Sequence, residues 1–180
     1  PIMLPFLSSN CQALVLKQGY RKILEVNQYF SKEGAYPREI GLVESGLLRI
    51  YYLDEEGKEW NKAFLQSGDF LMANPNIIEK SLVNIQALVP CQLFCISLKN
   101  HQLLSQQFPQ LKDTFQQLLT EYLSKKQSRE IALLTKDAKQ RYDLFLKDFP
   151  DLEDRIPHYH IASYLGITPT QLSRVRKRVK

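Results

Sequence analysis

Up to Ser97 the chain sets short apolar runs between polar corners, and beyond it the apolar positions take up helical spacing. Residues 4 to about 20, with Leu14, Leu16 and Tyr20 apolar, read as a helix. From Ile23 to Ser97 glycines recur in polar corners: Ser-Lys-Glu-Gly34, Glu-Ser-Gly46, Asp-Glu-Glu-Gly57 and Gln-Ser-Gly68-Asp. The runs 40–43, 47–53, 59–64, 82–88 and 91–96 predict strands. Short strands with glycine corners every eight to twelve residues or so predict a β-barrel, roll or sandwich. Asp54-Glu-Glu-Gly57, between Arg49-Ile-Tyr-Tyr and Trp60, is a hairpin signal.

Residues 98–108 predict a short helix ending at Pro109. Residues 110 to about 134 predict a long one, in which Leu111, Phe115, Leu118, Leu119, Tyr122 and Leu123 hold a helical period. Lys125, Lys126, Gln127, Ser128 and Arg129 interrupt that period before Ile131, Leu133 and Leu134 resume it. An amphipathic helix placed between two domains suits a dimer seam. A further helix is expected over 138–149, ending at Pro150, and then a loop, Asp148-Phe-Pro-Asp-Leu-Glu-Asp.

The last stretch is the most specific. A helix from His158 to Leu165 stops at Gly166, which can take a positive φ at a tight corner. Thr168 can cap a second helix with Pro169 at its first position. Ile161, Ala162 and Leu165 before the corner, and Ile167, Leu172 and Val175 after it, sit where two crossed helices would bury them. This is the pattern of a helix-turn-helix, whose second helix enters the DNA major groove. Residues 155–180 contain no Asp or Glu, and Arg174, Arg176, Lys177, Arg178 and Lys180 close the chain. Those five cations account for the whole net charge of +5. Excess charge confined to the recognition helix is the footprint of a phosphate binder.

Composition narrows the alternatives. At 180 residues, 44% apolar and 24% charged, the chain is an ordinary globular one of one or two domains. No run approaches the roughly 18–20 apolar residues of a membrane span. The N-terminal Pro-Ile-Met-Leu-Pro-Phe-Leu is short and lacks preceding basic residues, unlike a secretory signal. Cys11, Cys91 and Cys95 have no metal-like spacing and read as buried small hydrophobes in a reducing cytoplasm. His158 and His160 point to different helix faces and His101 is isolated, so no metal site or cofactor is expected. Residues 23–97 hold no histidine, which argues against a metal-bearing barrel enzyme, and no nucleophile elbow, phosphate loop or catalytic carboxylate pair is present.

In order and spacing the chain resembles the Crp/Fnr family of bacterial transcription regulators. The carriers are Lys32-Glu-Gly34, Val43-Glu-Ser-Gly46-Leu-Leu-Arg-Ile-Tyr, Asp54-Glu-Glu-Gly57-Lys-Glu, Ser67-Gly68-Asp69-Phe70, and the run from Tyr159 to Arg174. The resemblance implies an α+β fold: an N-terminal double-stranded β-roll (jelly-roll-like) with flanking helices, a long dimerisation helix and a C-terminal helix-turn-helix. It implies a cyclic-nucleotide-binding-type domain over 1–108, a connecting helix over 109–135 and a DNA-binding domain over 136–180. The expected partners are double-stranded DNA, a second copy of the chain and RNA polymerase, although no surface patch for the polymerase can be read.

The effector region departs from that family. Members that bind cyclic AMP carry a Gly-Glu pair after the Gly-Asp-Phe, and downstream an Arg-Ser pair that grips the phosphate. Here Gly68-Asp-Phe is followed by Leu71, Met72 and Ala73, so Ala73 stands where the ribose-binding Glu is expected. The phosphate-gripping pair falls near Ser81 and Leu82, with Lys80 one place away. Lysine offers a point charge and not the bidentate fork of arginine. A lost charge-assisted contact costs about 1.5–3 kcal/mol. The region is therefore expected to take an unidentified small molecule or nothing, and not cyclic AMP. Only 149–155 separates the last linker helix from the motif, too short for a full β-hairpin wing.

On the second helix Thr170, Gln171 and Arg174 share a face, with Arg174 the first candidate for reading guanine. Gln171 could pair with adenine or reach a phosphate, and Thr168 and Ser173 suit phosphate contacts. Arg176, Lys177 and Arg178 would supply the salt-dependent term. The competing reading is a small-molecule sensor whose helical C-terminus contacts protein instead of DNA.

Overall fold

The computed structural model describes residues 7–74 and 76–179. The side chains of Arg178 and Val179, and all of Lys180, lie outside the described residues. Helix α1 (Ser9–Gln18) precedes strands β1 (Tyr20–Leu24), β2 (Tyr29–Ser31), β3 (Glu39–Ser45), β4 (Leu47–Leu53), β5 (Glu59–Gln66), β6 (Phe70–Leu71), β7 (Asn84–Ala87) and β8 (Cys91–Ser97). Helices α2 (Leu98–Gln107), α3 (Pro109–Thr135), α4 (Ala138–Asp148), α5 (His158–Leu165) and α6 (Pro169–Val179) follow.

The strands form two four-stranded sheets, β1-β8-β3-β6 and β2-β7-β4-β5. This is the predicted β-roll. Its corners are glycine-dependent as expected: Gly34, Gly46, Gly57 and Gly68 all have positive φ. Gly46 shows why most sharply. At φ 105° a Cβ there would also lie 2.7 Å from both Cys91 Cα and the Pro90 carbonyl, so the β3–β4 corner admits only glycine without backbone movement.

Antiparallel pairing sets Ile40 opposite Ile96 and Leu42 opposite Phe94. One face of this sheet thus presents Ile40, Phe94 and Ile96 to Leu7, just before α1, and to Cys11, Val15, Leu104 and Leu111 of the covering helices. Leu104 is only 1% exposed, and burying a leucine fully stabilises by about 1.5–3 kcal/mol. The alternate positions Val43, Leu93 and Cys95 are also buried, so β8 is apolar on both faces. The three cysteines are free and buried, and no cluster of His, Cys, Asp or Glu among the described residues could hold a metal ion. No described helix is long and apolar enough to cross a membrane.

The chain divides into two compact units: residues 1–50 with 64–121, and residues 51–63 with 122–180. The tip of the β4–β5 hairpin therefore belongs with the C-terminal helices. Helix α3 continues through Lys125–Ser128, all exposed. Only the apolar stripe is interrupted there, because lysine and glutamine are good helix formers that need no burial. In the second unit Tyr142 and Phe145 of α4 are buried with Leu152, Ile156, Ile161, Ala162, Leu165, Leu172 and Val175. Asp137 and Gln140 close a capping box at the start of α4. Between α4 and α5 the described residues form turns and no strand.

Candidate nucleic-acid interface and effector region

The corner between α5 and α6 is built as its residues require. Gly166 is left-handed at φ 67°, and its N–H reaches the carbonyls of Ala162 and Ser163. Thr168 caps α6: its Oγ1 accepts the Gln171 N–H at 3.2 Å, while Gln171 Oε1 accepts the Thr168 N–H at 2.9 Å. These reciprocal bonds satisfy two of the otherwise orphaned amides at the helix start. Leu172 and Val175 are buried. Thr168, Thr170, Gln171, Ser173, Arg174 and Lys177 are all exposed, and no acidic residue stands in the first turn of α6.

The structure separates two arginines that look alike in sequence. Arg174 projects from the exposed face with no ion pair among the described residues. Arg176 instead pairs through Nε with Glu153, and its Nη1 lies 3.1 Å from His158 Nδ1. Tyr142 Oη donates to the same Glu153 at 2.6 Å. Burial alone would push the Glu153 carboxyl up, but the Tyr142 and Arg176 hydrogen bonds outweigh it and hold the pKa below the usual glutamate value. The side chain of Arg178 lies outside the described residues.

Of the effector-region residues, Ala73, Lys80, Ser81 and Leu82 lie around one loop, and Gly68 sits at the β5–β6 corner. The Gly68 N–H donates to the Val43 carbonyl at 2.9 Å, and Asp69 Oδ2 accepts the Gln66 N–H at 2.9 Å. Ala73 is buried and its carbonyl accepts from Ser81 Oγ at 3.2 Å. Ser81 is buried too, and its single hydroxyl proton is shared with the Val83 carbonyl at 2.8 Å. Both hydroxyl contacts close the loop on itself. Lys80 is exposed, with its Nζ 5.8 Å from the centre of the Tyr36 ring. Leu82 is 71% exposed, so the strand expected from residue 82 begins only at Asn84.

Residues 21–107 match the cyclic nucleotide-binding domain family. Solved structures share the fold over most of the chain. FixK2 from Bradyrhizobium japonicum superposes with a TM-score of 0.80 at 16% identity, covering 89% of this chain and 84% of that one. The c-di-GMP-responsive global regulator CLP of Xanthomonas campestris gives 0.78 at 18%, covering 96% and 91%. A Eubacterium rectale protein described as a transcriptional regulator of the Crp/Fnr family gives 0.75 at 18%, covering 96% and 83%. The chain shares the fold of these proteins, and over residues 21–107 it is similar to cyclic nucleotide-binding domains. Among curated proteins none matches the sequence. The neighbours described by function are regulators, not enzymes.

Within this Crp/Fnr fold, several working residues escaped the sequence reading. Arg49 of β4 is 4% exposed, and its Nε and Nη2 donate to Gln86 Oε1 at 2.8 and 2.6 Å. Asn61, Arg129 and Glu153 bind partners 11 to 99 positions away in sequence. Their only signal is a polar residue at a position where the local pattern calls for an apolar one, and that signal names no partner.

Proposed function

We propose that the protein is a homodimeric, sequence-specific DNA-binding regulator of the Crp/Fnr type. In this reading the roll is the effector domain over 1–108, α3 the dimer helix over 109–135, and 136–180 the DNA-binding domain with a reduced wing. The observation that carries the reading is the exposed face of α6. It combines a capped helix start, hydroxyls at Thr168, Thr170 and Ser173, the Gln171 amide, and the cations Arg174 and Lys177, with no acidic neighbour in the first turn. Such a face meets phosphates at its N-terminal turn and base edges one turn on.

Dimerisation is supported by α3. Leu123 and Leu134 are 52% and 79% exposed, and at eleven residues apart they return to one helix face. Exposed leucines on one stripe of a long helix suit a second copy of that helix. Two α6 helices about 34 Å apart would then address a near-palindromic operator.

The effector region supports no cyclic AMP binding. Ala73 offers no carboxylate, Ser81 is consumed in closing its own loop, Leu82 is apolar and Lys80 lies outside. The test is fluorescence anisotropy with DNA from upstream of the protein's own gene and random DNA, at several salt concentrations, with and without cyclic AMP. The expected result is saturable, salt-dependent binding that favours the upstream DNA and ignores cyclic AMP. No binding to any DNA at low salt would refute the reading and favour a C-terminus that contacts protein.

A further inference from the structure

Among the described residues of the second unit, Lys62 and Arg129 are recessed cations that no carboxylate neutralises. Lys62 of β5 is half-buried, and its Nζ donates to Tyr122 Oη of α3 at 2.6 Å. That Nζ also stands 5.4 Å from the centre of the Tyr52 ring and 5.3 Å from that of Tyr122. Arg129, two turns beyond Tyr122 on α3, is half-buried against the Tyr164 ring at 4.7 Å. Its Nη2 donates to the carbonyls of Asn61 at 3.1 Å and Tyr164 at 2.7 Å. Its Nε is a buried donor without a partner among the described residues. Asn61 directly precedes Lys62, so the two cations engage adjacent residues of β5, Arg129 through the Asn61 carbonyl and Lys62 through its own ammonium beside Tyr52 and Tyr122. Among the described residues neither Lys62 nor Arg129 forms a salt bridge.

Such an arrangement is costly as it stands. Withdrawing a cation from water without an opposite charge is unfavourable, and a buried N–H left unmade adds to that. The two cations respond differently. Burial pushes the Arg129 guanidinium below the ordinary arginine value, and Arg141 adds to that against opposition from Tyr164 and Tyr52. Burial also opposes the Lys62 ammonium, but the Tyr122 hydroxyl and then Tyr52 outweigh it and leave its pKa above the ordinary lysine value. The Tyr52 and Tyr122 phenols bring hydroxyl dipoles to the charge and no carboxylate. Tyr52 is 38% exposed, so part of its side chain meets solvent.

We propose that Lys62, Arg129 Nε and the hydroxyls of Tyr52 and Tyr122 bind a small oxyanion, a metabolite bearing a phosphate or a carboxylate. The ammonium supplies a point charge, the arginine one directed N–H, and the phenols two donors that can rotate towards the ligand. The site shares no residue with the Ala73–Leu82 loop, and its occupancy can be measured without DNA. Failure of the DNA-binding reading and failure of this one are therefore separate results.

The experiment is an NMR titration of the full chain with inorganic phosphate and, separately, with succinate, against sodium chloride at equal ionic strength. The Arg129 Nε–H resonance and the amides of 61–63 are expected to shift saturably with phosphate, succinate or both, and whichever saturates identifies the oxyanion class. Lys62→Met is expected to weaken that binding about tenfold, while Lys126→Met, exposed on the same helix, leaves it unchanged. If Lys62→Met does not fold, Tyr122→Phe removes one hydroxyl only and is expected to weaken binding several-fold. Shifts no different from those in chloride, or undiminished affinity in the folded variant, would overturn the proposal.

Discussion

Asn61 Nδ2 donates to the His160 carbonyl oxygen at 3.0 Å and lies 3.2 Å from the same residue's Nδ1, with both residues buried. An amide nitrogen only donates, so Nδ1 is the acceptor and the imidazole proton sits on Nε2. The hairpin backbone repeats the link: the Asn61 N–H donates to Ser163 Oγ at 2.8 Å, and that hydroxyl donates to the Glu59 carbonyl at 3.1 Å. Helix α5 is thus held to the hairpin tip by side-chain hydrogen bonds within the second unit.

Replacing Asn61 with alanine leaves the His160 carbonyl and Nδ1 without this donor. A buried polar group stripped of its partner costs about 1–3 kcal/mol. Asn61→Ala is expected to lower stability by that amount in urea unfolding, and to speed amide exchange in α5 more than in β8. Equal acceleration in both elements would show global loss instead of a local anchor.

His101 gives stability a pH dependence. Burial holds its pKa below the ordinary histidine value, and its ring lies 5.1 Å from that of Phe115. The folded state disfavours the imidazolium, so the unfolded chain takes up the proton first. The contribution is fully present above the unfolded value, about 6.5, and is lost as pH falls from there through the lowered folded value. Urea midpoints between pH 7.5 and 5 should decline, and His101→Leu should flatten the decline. A slope unchanged in the variant would assign the titration to another group.

The roll, the long helix and the α5–α6 corner were legible because each is signalled locally. Glycines stand where φ is positive, and Thr168 and Gln171 carry a cap within one turn. The anchoring network was not legible for the opposite reason. Asn61 and His160 are 99 positions apart, and alternation along 59–64 predicts a strand without saying that a polar member would be buried against a helix. Arg176 shows the same limit. Its place in a basic run suggested a phosphate contact, but Glu153, buried among the Tyr142 and Arg176 side chains, engages it within the protein. Charge counting cannot tell a cation facing solvent from one already paired.

Gly166→Ala tests the corner. At φ 67° an L-residue is strained, and the added Cβ would lie 3.4 Å from Leu133 Cδ2, a tight contact. The left-handed conformation costs a non-glycine residue about 1–2 kcal/mol, and a loss of that size is expected in thermal or urea unfolding. A neutral result would mean that the α5–α6 turn relaxes to a different backbone.

Arg174 and Arg176 should fail in different assays. Arg174 is exposed and free of ion pairs among the described residues, so Arg174→Ala should leave unfolding unchanged. On a specific site it should cost about 1–3 kcal/mol of binding and relax base preference at one position. Arg176→Ala removes the partner of a Glu153 side chain that is only 14% exposed. It should lower stability, and Glu153→Gln should recover part of that loss in the double variant, because the unpaired carboxylate is then gone. Lys177→Ala should weaken all DNA sequences alike and reduce the salt slope by about one. Anisotropy against single-base variants of the site, run beside urea unfolding of the same proteins, separates these outcomes. Uniform loss across sequences in Arg174→Ala would make that residue a backbone contact and leave base reading to Gln171 and its neighbours.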